Sequence, residues 1–392
     1  MPAENTVITA NFGTYTYEFE SGNGTEEKPY VIKNDYQLKL MEKFNNTYFI
    51  LSDDISLSST WTAIGKIASS DNPVHFSNHF DGQNHHIYNL KINDNSMFSG
   101  LISYISTGSV KNLNIEIKNS ESDNMHLGAV SGWNRGLIEN VNVISSGYIA
   151  GISYTGGITG TNYGDIINCN VNAGYIFSDS YLGGIAGINY GNIYGCSVKA
   201  ILGSYKTTAN YLGGIVGSDN VSELYPESSL KNCSFEGSIG FIKYPGSIDN
   251  KYNLYIGGIA GAFANKEKNE NYSILLENCY SKSNLNGNDY LGGILGYKSE
   301  NFKNIYISDS YYAGDIISLK ENKNPVFPGN DININSVYYD KDKLTHFSLP
   351  PENTFYNCGK TTSEMFQKLT YSGWDFENIW NIAEGNDYPY LK

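Results

Sequence analysis

The stretch Tyr181–Val198, YLGGIAGINYGNIYGCSV, spends five of its eighteen residues on glycine while keeping an aromatic, a leucine, three isoleucines and a cysteine at fixed places. The same phrase returns as YTGGITGTNYGDIINCNV from Tyr154, YLGGIVG from Tyr211, YIGGIAG from Tyr255 and YLGGILG from Tyr290, and in degraded form as HLGAVSGWNRGLIENVNV from His126. The starting points from His126 to Tyr211 lie roughly 27 to 30 residues apart and the later gaps stretch to roughly 35 to 45, a period that belongs to repeat arrays. The question of function therefore begins with architecture.

Within a repeat the order is aromatic, Leu-Gly-Gly-Ile-x-Gly, Asn-x-Gly, and then a short β-rich segment ending in Cys-x-Val. The triplets Asn134 to Gly136, Asn162 to Gly164 and Asn189 to Gly191 supply residue types that tolerate positive φ, as tight corners require. Ile166 to Val171 and Asn192 to Val198 alternate apolar with polar or small residues, the pattern of half-buried strands. No helix-length apolar period interrupts them. The expected fold is all-β: a right-handed parallel β-helix, or solenoid, with equivalent residues stacked at ~4.8 Å along it. Glycines then serve the corners and the places where neighbouring backbones approach closely. A β-sandwich or a propeller is the alternative, although the shortest spacing is tight for a four-stranded blade.

Composition narrows the function classes. At 392 residues, with a hydrophobic fraction of 40%, the chain can build a continuous core. A formal net charge of -14 and the lack of a basic run argue against nucleic acid as a partner. No apolar stretch approaches a membrane span, so no membrane insertion by this chain is expected. The opening MPAENTVITA lacks a basic n-region followed by an apolar h-region, so no secretory signal is read in these residues.

Five cysteines in a chain of this size do not make a disulfide framework, and no CxxC pair suggests zinc. Cys169, Cys196, Cys233 and Cys279 each close the same local phrase, with Val141 and Ser310 filling the equivalent slot elsewhere; Cys358 lies outside the series. Stacked, buried core thiols are expected. Near the ends, Asn34 followed by DYQLKLMEKF and Thr361-Thr-Ser-Glu364 followed by MFQKL read as capped short helices. These divide the chain into an N-terminal extension or edge strand (1–29), an N-terminal cap with the first turns (30–97), the repeat array (98–345) and a C-terminal cap (346–392).

The phrase [Leu/Ile]-Gly-Gly-Ile-x-Gly followed by Asn-x-Gly resembles the GLUG repeat of bacterial surface proteins, found in filamentous adhesins and beside the protease domains of immunoglobulin A metallopeptidases. GNGTEEKPYVIKNDYQLKLM (Gly22 to Met41), FILSDDISLSSTWTAIG (Phe49 to Gly65) and HFDGQNHHIYNLKI (His79 to Ile92) resemble the usual lead-in, and SGWDFENIWNIAEGNDYPYL (Ser372 to Leu391) the usual end. The resemblance covers nearly the whole chain after about residue 20. It implies a bacterial surface protein and leaves activity open. The repeats from Asn220 to Leu254 and from Ala262 to Asp289 depart from it by insertions.

Chemistry-bearing clusters are few. His75, His79, His85 and His86 surround Asp81 and could on paper ligate a metal, but adjacent strand residues point to opposite faces, and no metal or other cofactor is expected. HExxH and G-x-S-x-G are absent. The acidic pairs Asp53-Asp54, Glu26-Glu27 and Asp340/Asp342 lie in lead-in, loop or terminal regions and read as solvated faces. The most informative row is aromatic. Tyr154, Tyr181, Tyr211, Tyr255 and Tyr290, with His126 before them, precede the Leu-Gly-Gly phrase; if the leucine points inward, the tyrosine points outward. Stacked tyrosines form flat amphipathic platforms for sugar rings or a protein partner, or else simply shield the corner.

The sequence thus points to a non-catalytic extracellular or cell-surface binding module, an adhesin-like element recognising a glycan or a host or bacterial surface protein through the row Tyr154, Tyr181, Tyr211, Tyr255 and Tyr290. A stalk, a receptor-binding protein of a phage tail or tail-like particle, and a polysaccharide lyase or hydrolase are the rival readings.

Overall fold

The computed structural model describes residues 19–65, 75–93, 96–122, 125–204, 210–241, 254–264, 271–300, 302, 304–318 and 320–392. Residues 1–18 of the expected N-terminal extension and parts of both long insertions lie outside them. The described residues form three parallel sheets, of twenty, eight and seven strands, and one antiparallel pair, Trp380–Asn381 with Tyr390–Leu391.

Each repeat contributes to all three sheets. Tyr181–Gly183 lies in the eight-stranded sheet, Ala186–Asn189 in the seven-stranded sheet, and Asn192–Tyr194 with Ser197–Ser204 in the large one. Register is held across both long insertions: Tyr211 pairs with Tyr255, and Tyr255 with Tyr290. Among the described residues the main apolar core runs from Ile32 to Phe355.

In the large sheet the pairings close on themselves. From Leu137–Gly151 one path runs through Asn170–Ser178, Ser197–Ser204, Ser234–Phe241 and Tyr280–Asn286 to Ile305–Tyr312. A second runs through Asp165–Ile167, Asn192–Tyr194, Glu227–Lys231 and Ser273–Glu277 to the same final strand. Ten parallel strands are joined into a closed barrel by their pairing, with others, such as Ser109–Ile117 and Asn333–Asp340, outside it. This corrects the expected fold. The chain is all-β and parallel, but the right-handed parallel β-helix is not what these pairings describe. The repeat phrase carries the period and the inward face, but not how each strand edge pairs. Leu137–Gly151, at fifteen residues, runs through a corner that the phrase treats as a break, and so joins both paths.

The corner itself differs from expectation. Positive φ does not fall on the Asn-x-Gly triplets. It falls on the residue before the cysteine slot, at Asn112, Asn140, Asn168, Gly195, Asn232, Asn278, Asp309 and Ser336. Asparagine, aspartate and glycine tolerate the left-handed region best, which explains most of this set. The next residue then turns inward: Leu113, Val141, Cys169, Cys196, Cys233, Cys279, Ser310 and Val337 are all buried.

The Asn-x-Gly triplets do something else. Asn134 donates its side-chain amide to Asn162 Oδ1 at 2.8 Å, Asn162 to Asn189 at 2.7 Å, and Asn189 to Asp219 Oδ1 at 2.8 Å. Each of the three asparagines also bonds the backbone of the glycine two residues on. Those glycines are needed for close approach, since a Cβ at Gly164 would meet the Gly136 carbonyl oxygen at 2.0 Å. The ladder ends at Asp219, which pairs in register with Phe263. Burial raises the Asp219 carboxyl to about 7, and its Oδ2 has no partner.

Short helices occur at Asp35–Leu40, where Asn34 accepts from Gln37 N, and at Thr362–Met365, where Thr361 and Glu364 form a reciprocal capping box. The C-terminal segment packs Met365, Tyr371, Trp374, Trp380 and Tyr388 onto Tyr280 and Tyr311 of the large sheet. Trp380 Nε1 donates to Asn278 Oδ1 at 3.1 Å, and Tyr311 donates its hydroxyl to the Pro389 carbonyl at 2.7 Å.

Candidate functional site

Strand alternation in the eight-stranded sheet sets the faces of the Tyr-Leu-Gly phrase. Leu182, Leu212, Ile256 and Leu291 are fully buried, whereas Tyr154, Tyr181, Tyr211, Tyr255 and Tyr290 are only partly covered. Their rings stack at centroid separations of 5.1, 5.0, 5.0 and 5.1 Å along the row. The structure therefore brings together all five tyrosines singled out from the sequence. His126 extends the row at 4.6 Å from Tyr154, and Phe98 extends it again at 4.9 Å from His126. Phe98 was missed in the sequence because FSGLIS keeps the aromatic and the first glycine but loses the inward leucine and the second glycine.

The row is partly wet and partly locked. His126 is buried and its Nδ1 lies 2.8 Å from Thr161 Oγ1; burial pushes its pKa down to about 4, so the ring is neutral. Burial likewise raises Tyr211 to about 12 and Tyr181 above the usual phenol range, which keeps both as neutral hydroxyls able to donate and accept. A lane of the seven-stranded sheet lies alongside, in the register Trp133, Thr161, Ile188, Ser218, Ala262, Tyr297. Trp133 leans on His126 at 5.2 Å and Tyr297 on Tyr255 at 4.6 Å, while the residues between them are buried.

A second stack, Trp133, Tyr163 and Tyr190, has separations of 5.0 and 4.4 Å with ring planes within 13°. Its middle ring, Tyr163, lines a groove of about 860 Å³ that follows one register slot through Tyr48, His79, Ser109, Leu137 and Asp165.

The histidine cluster does not converge. His79 stacks on Tyr48 at 4.5 Å with its Nδ1 3.0 Å from Ser109 Oγ, whereas His85 and His86 turn to Asp54. Among the described residues no group of three or more His, Cys, Asp or Glu is placed to hold a metal ion. Two of the acidic pairs are occupied structurally: Asp54 takes the His86 backbone N–H, which lowers its pKa, and buried Asp340 accepts from Tyr388 and Thr362 at 2.6 and 2.7 Å. The four slot cysteines are reduced and buried, and Cys169 N donates to Cys196 Sγ at 3.4 Å.

The chain matches no family model and no curated protein. Among solved structures it is similar to a Bacteroides ovatus protein provisionally named an immunoglobulin A1 protease, with 21% identity over 95% of each chain and a TM-score of 0.46. It is also similar to an IgA1 protease, with 16% identity over 86% of this chain and 26% of that chain and a TM-score of 0.50. The second likeness is one of fold alone, and this chain spans about a quarter of that protein's length.

Proposed function

We propose that the chain is a non-catalytic extracellular binding module of a bacterial surface protein, of the kind the GLUG-like phrase implies, and that it recognises a glycan or a host or bacterial surface protein through Tyr154, Tyr181, Tyr211, Tyr255 and Tyr290. The observation that supports this reading is the unbroken stack of partly exposed rings, one per repeat, at 5.0 to 5.1 Å. Aromatic faces with a hydroxyl at the edge suit sugar rings and tyrosine-rich protein contacts. A repeating row binds weakly at each position and gains by avidity along its length. The absence of HExxH from the sequence fits a binding role beside, rather than within, protease chemistry.

The test is binding of the wild type and of Tyr211→Ser/Tyr255→Ser to a glycan array and to host-cell surfaces, with circular dichroism as the folding control. Loss of binding with the fold retained supports the row as the contact surface. Undiminished binding by the double variant overturns it. Tyr211→Phe/Tyr255→Phe, which keeps the stack, separates the ring from its hydroxyl.

A further inference from the structure

Arg135 is the sole arginine of the chain. It is exposed, and among the described residues it has no carboxylate partner. Its Nη2 donates to Tyr225 Oη at 3.0 Å and its Nη1 more weakly to Tyr104 Oη at 3.5 Å. A guanidinium carries five N–H donors in a planar fork, so three remain unused. The two phenols hold the fork, and Arg135 also lines the 860 Å³ groove described above. Tyr163, which also lines the groove, stacks on Trp133 and on Tyr190, with Tyr225 edge-on at 4.9 Å. The donor is therefore preorganised in a chain whose net charge is -14.

The rest of the groove says what kind of anion fits. Lys111 is neutralised by Glu139 at 2.9 Å, and Glu26, Asp81 and Asp165 also line the groove, so a polyanion would be repelled. Asp81 Oδ1 already accepts from Gln83 N and Asn112 Nδ2, and Asp165 Oδ1 from Asn192 Nδ2; their second oxygens remain as acceptors for hydroxyl donors. The register slot from Tyr48 to Asp165 spans four inter-strand steps, roughly 19 Å, the length of a short oligosaccharide. One cationic fork, several carboxylate acceptors and an elongated open shape match a ligand with one carboxylate and many hydroxyls.

We propose that this groove binds an acidic saccharide, with Arg135 as the bidentate anchor for the sugar carboxylate and Asp81 and Asp165 as acceptors for its hydroxyls. The site is separate from the tyrosine row and does not depend on that row binding anything. A uronate and a sialate offer the same carboxylate-and-hydroxyl chemistry, and separate arms of the test distinguish them.

The experiment is titration calorimetry of the intact chain with aldotriouronic acid, which carries a single uronate on xylobiose, and with sialyllactose, each against its neutral counterpart, xylobiose or lactose. At least one acidic probe binds about tenfold or more tighter than its neutral partner, added salt weakens it, and Arg135→Ala abolishes the preference while Arg135→Lys retains part of it. Hydrogen exchange on the wild type, with the probe bound, slows at residues 107–111 and 163–165. Equal affinity for acidic and neutral probes overturns the proposal, as does an Arg135→Ala variant that binds like the wild type. Should Arg135→Ala fail to fold, unchanged exchange in the groove of the wild type at saturating probe overturns it independently.

Discussion

Asn189 donates its side-chain amide to the fully buried carboxyl of Asp219 at 2.8 Å, and there the amide ladder that began at Asn134 stops. The next residue in register is Phe263, which can neither donate nor accept, so the second carboxyl oxygen is left without a bond. The Ser228 hydroxyl, likewise buried, makes no hydrogen bond to it. Burial dominates and holds the carboxyl at about 7.

Asp219→Asn is accordingly expected to stabilise the fold in a pH-dependent way. The folded-state pKa is raised above its ordinary value, so the folded state holds a proton that the unfolded state has released. The wild type loses stability as pH rises from about 4 towards about 7, and the loss is constant above that. Against it the variant gains of the order of 2 to 4 kcal/mol above pH 7, and almost nothing near pH 4. Urea melts at several pH values measure this, and a gain that does not change with pH would contradict it.

Thiol labelling should split the cysteines into two classes. Cys169, Cys196, Cys233 and Cys279 are buried in one slot, and burial pushes the thiols of Cys196 and Cys279 upward, away from the reactive thiolate. Cys358 is partly exposed. Native protein is expected to react with Ellman's reagent at Cys358 first, and denatured protein at all five. Rapid modification of the slot cysteines without unfolding, or a mass showing disulfides among them, would contradict the stack.

Gly184→Val and Gly214→Val should damage folding far more than Glu223→Val in an exposed turn. A Cβ at Gly184 would meet the Gly214 carbonyl oxygen at 2.3 Å, and one at Gly214 would meet that of Gly258 at 2.1 Å. Neither backbone can withdraw without breaking register with its neighbour. A cost of about 3 kcal/mol or more is expected at the glycines and within about 0.5 kcal/mol at Glu223. Equal melting temperatures for the two classes would refute the close-approach argument.

Tyr211→Ser removes the contacts with Tyr181 and Tyr255, each a stacked pair at 5.0 Å, and should cost about 1 to 3 kcal/mol together with part of the near-UV dichroism. Tyr211→Phe keeps both contacts and should be close to neutral. A serine variant as stable as the wild type would mean that the rings meet only incidentally.

The period, the strand segments, the thiol slot and the tyrosine row were legible because each is a residue type recurring at a fixed spacing. Leu182 in and Tyr181 out follow from alternation alone. The role of Asn189 was misread for an equally physical reason. Asn-x-Gly is a good corner in isolation, but here the side chain found a partner one repeat away, which no local pattern displays. The true corner residue, Asn168 or its equivalents, hid inside what looked like one strand. The closure of the large sheet was likewise out of reach, since it depends on which edges of Leu137–Gly151 and Ile305–Tyr312 find partners. Arg135 went unremarked because its fork is held by Tyr225, 90 residues away in sequence.

The clasp between Trp380 and Asn278 spans 102 residues of chain and ties the C-terminal segment to the corner between Ser273–Glu277 and Tyr280–Asn286. Under tension applied near residue 392, that clasp and the Tyr311 to Pro389 bond take the load before any parallel ladder does. Strands drawn off a sheet edge one bond at a time open at low force, whereas a buried indole and its neighbours must leave together. The C-terminal aromatics are thus expected to act as a mechanical lock on Tyr280–Asn286 and Ile305–Tyr312, the two strands whose tyrosines they cover.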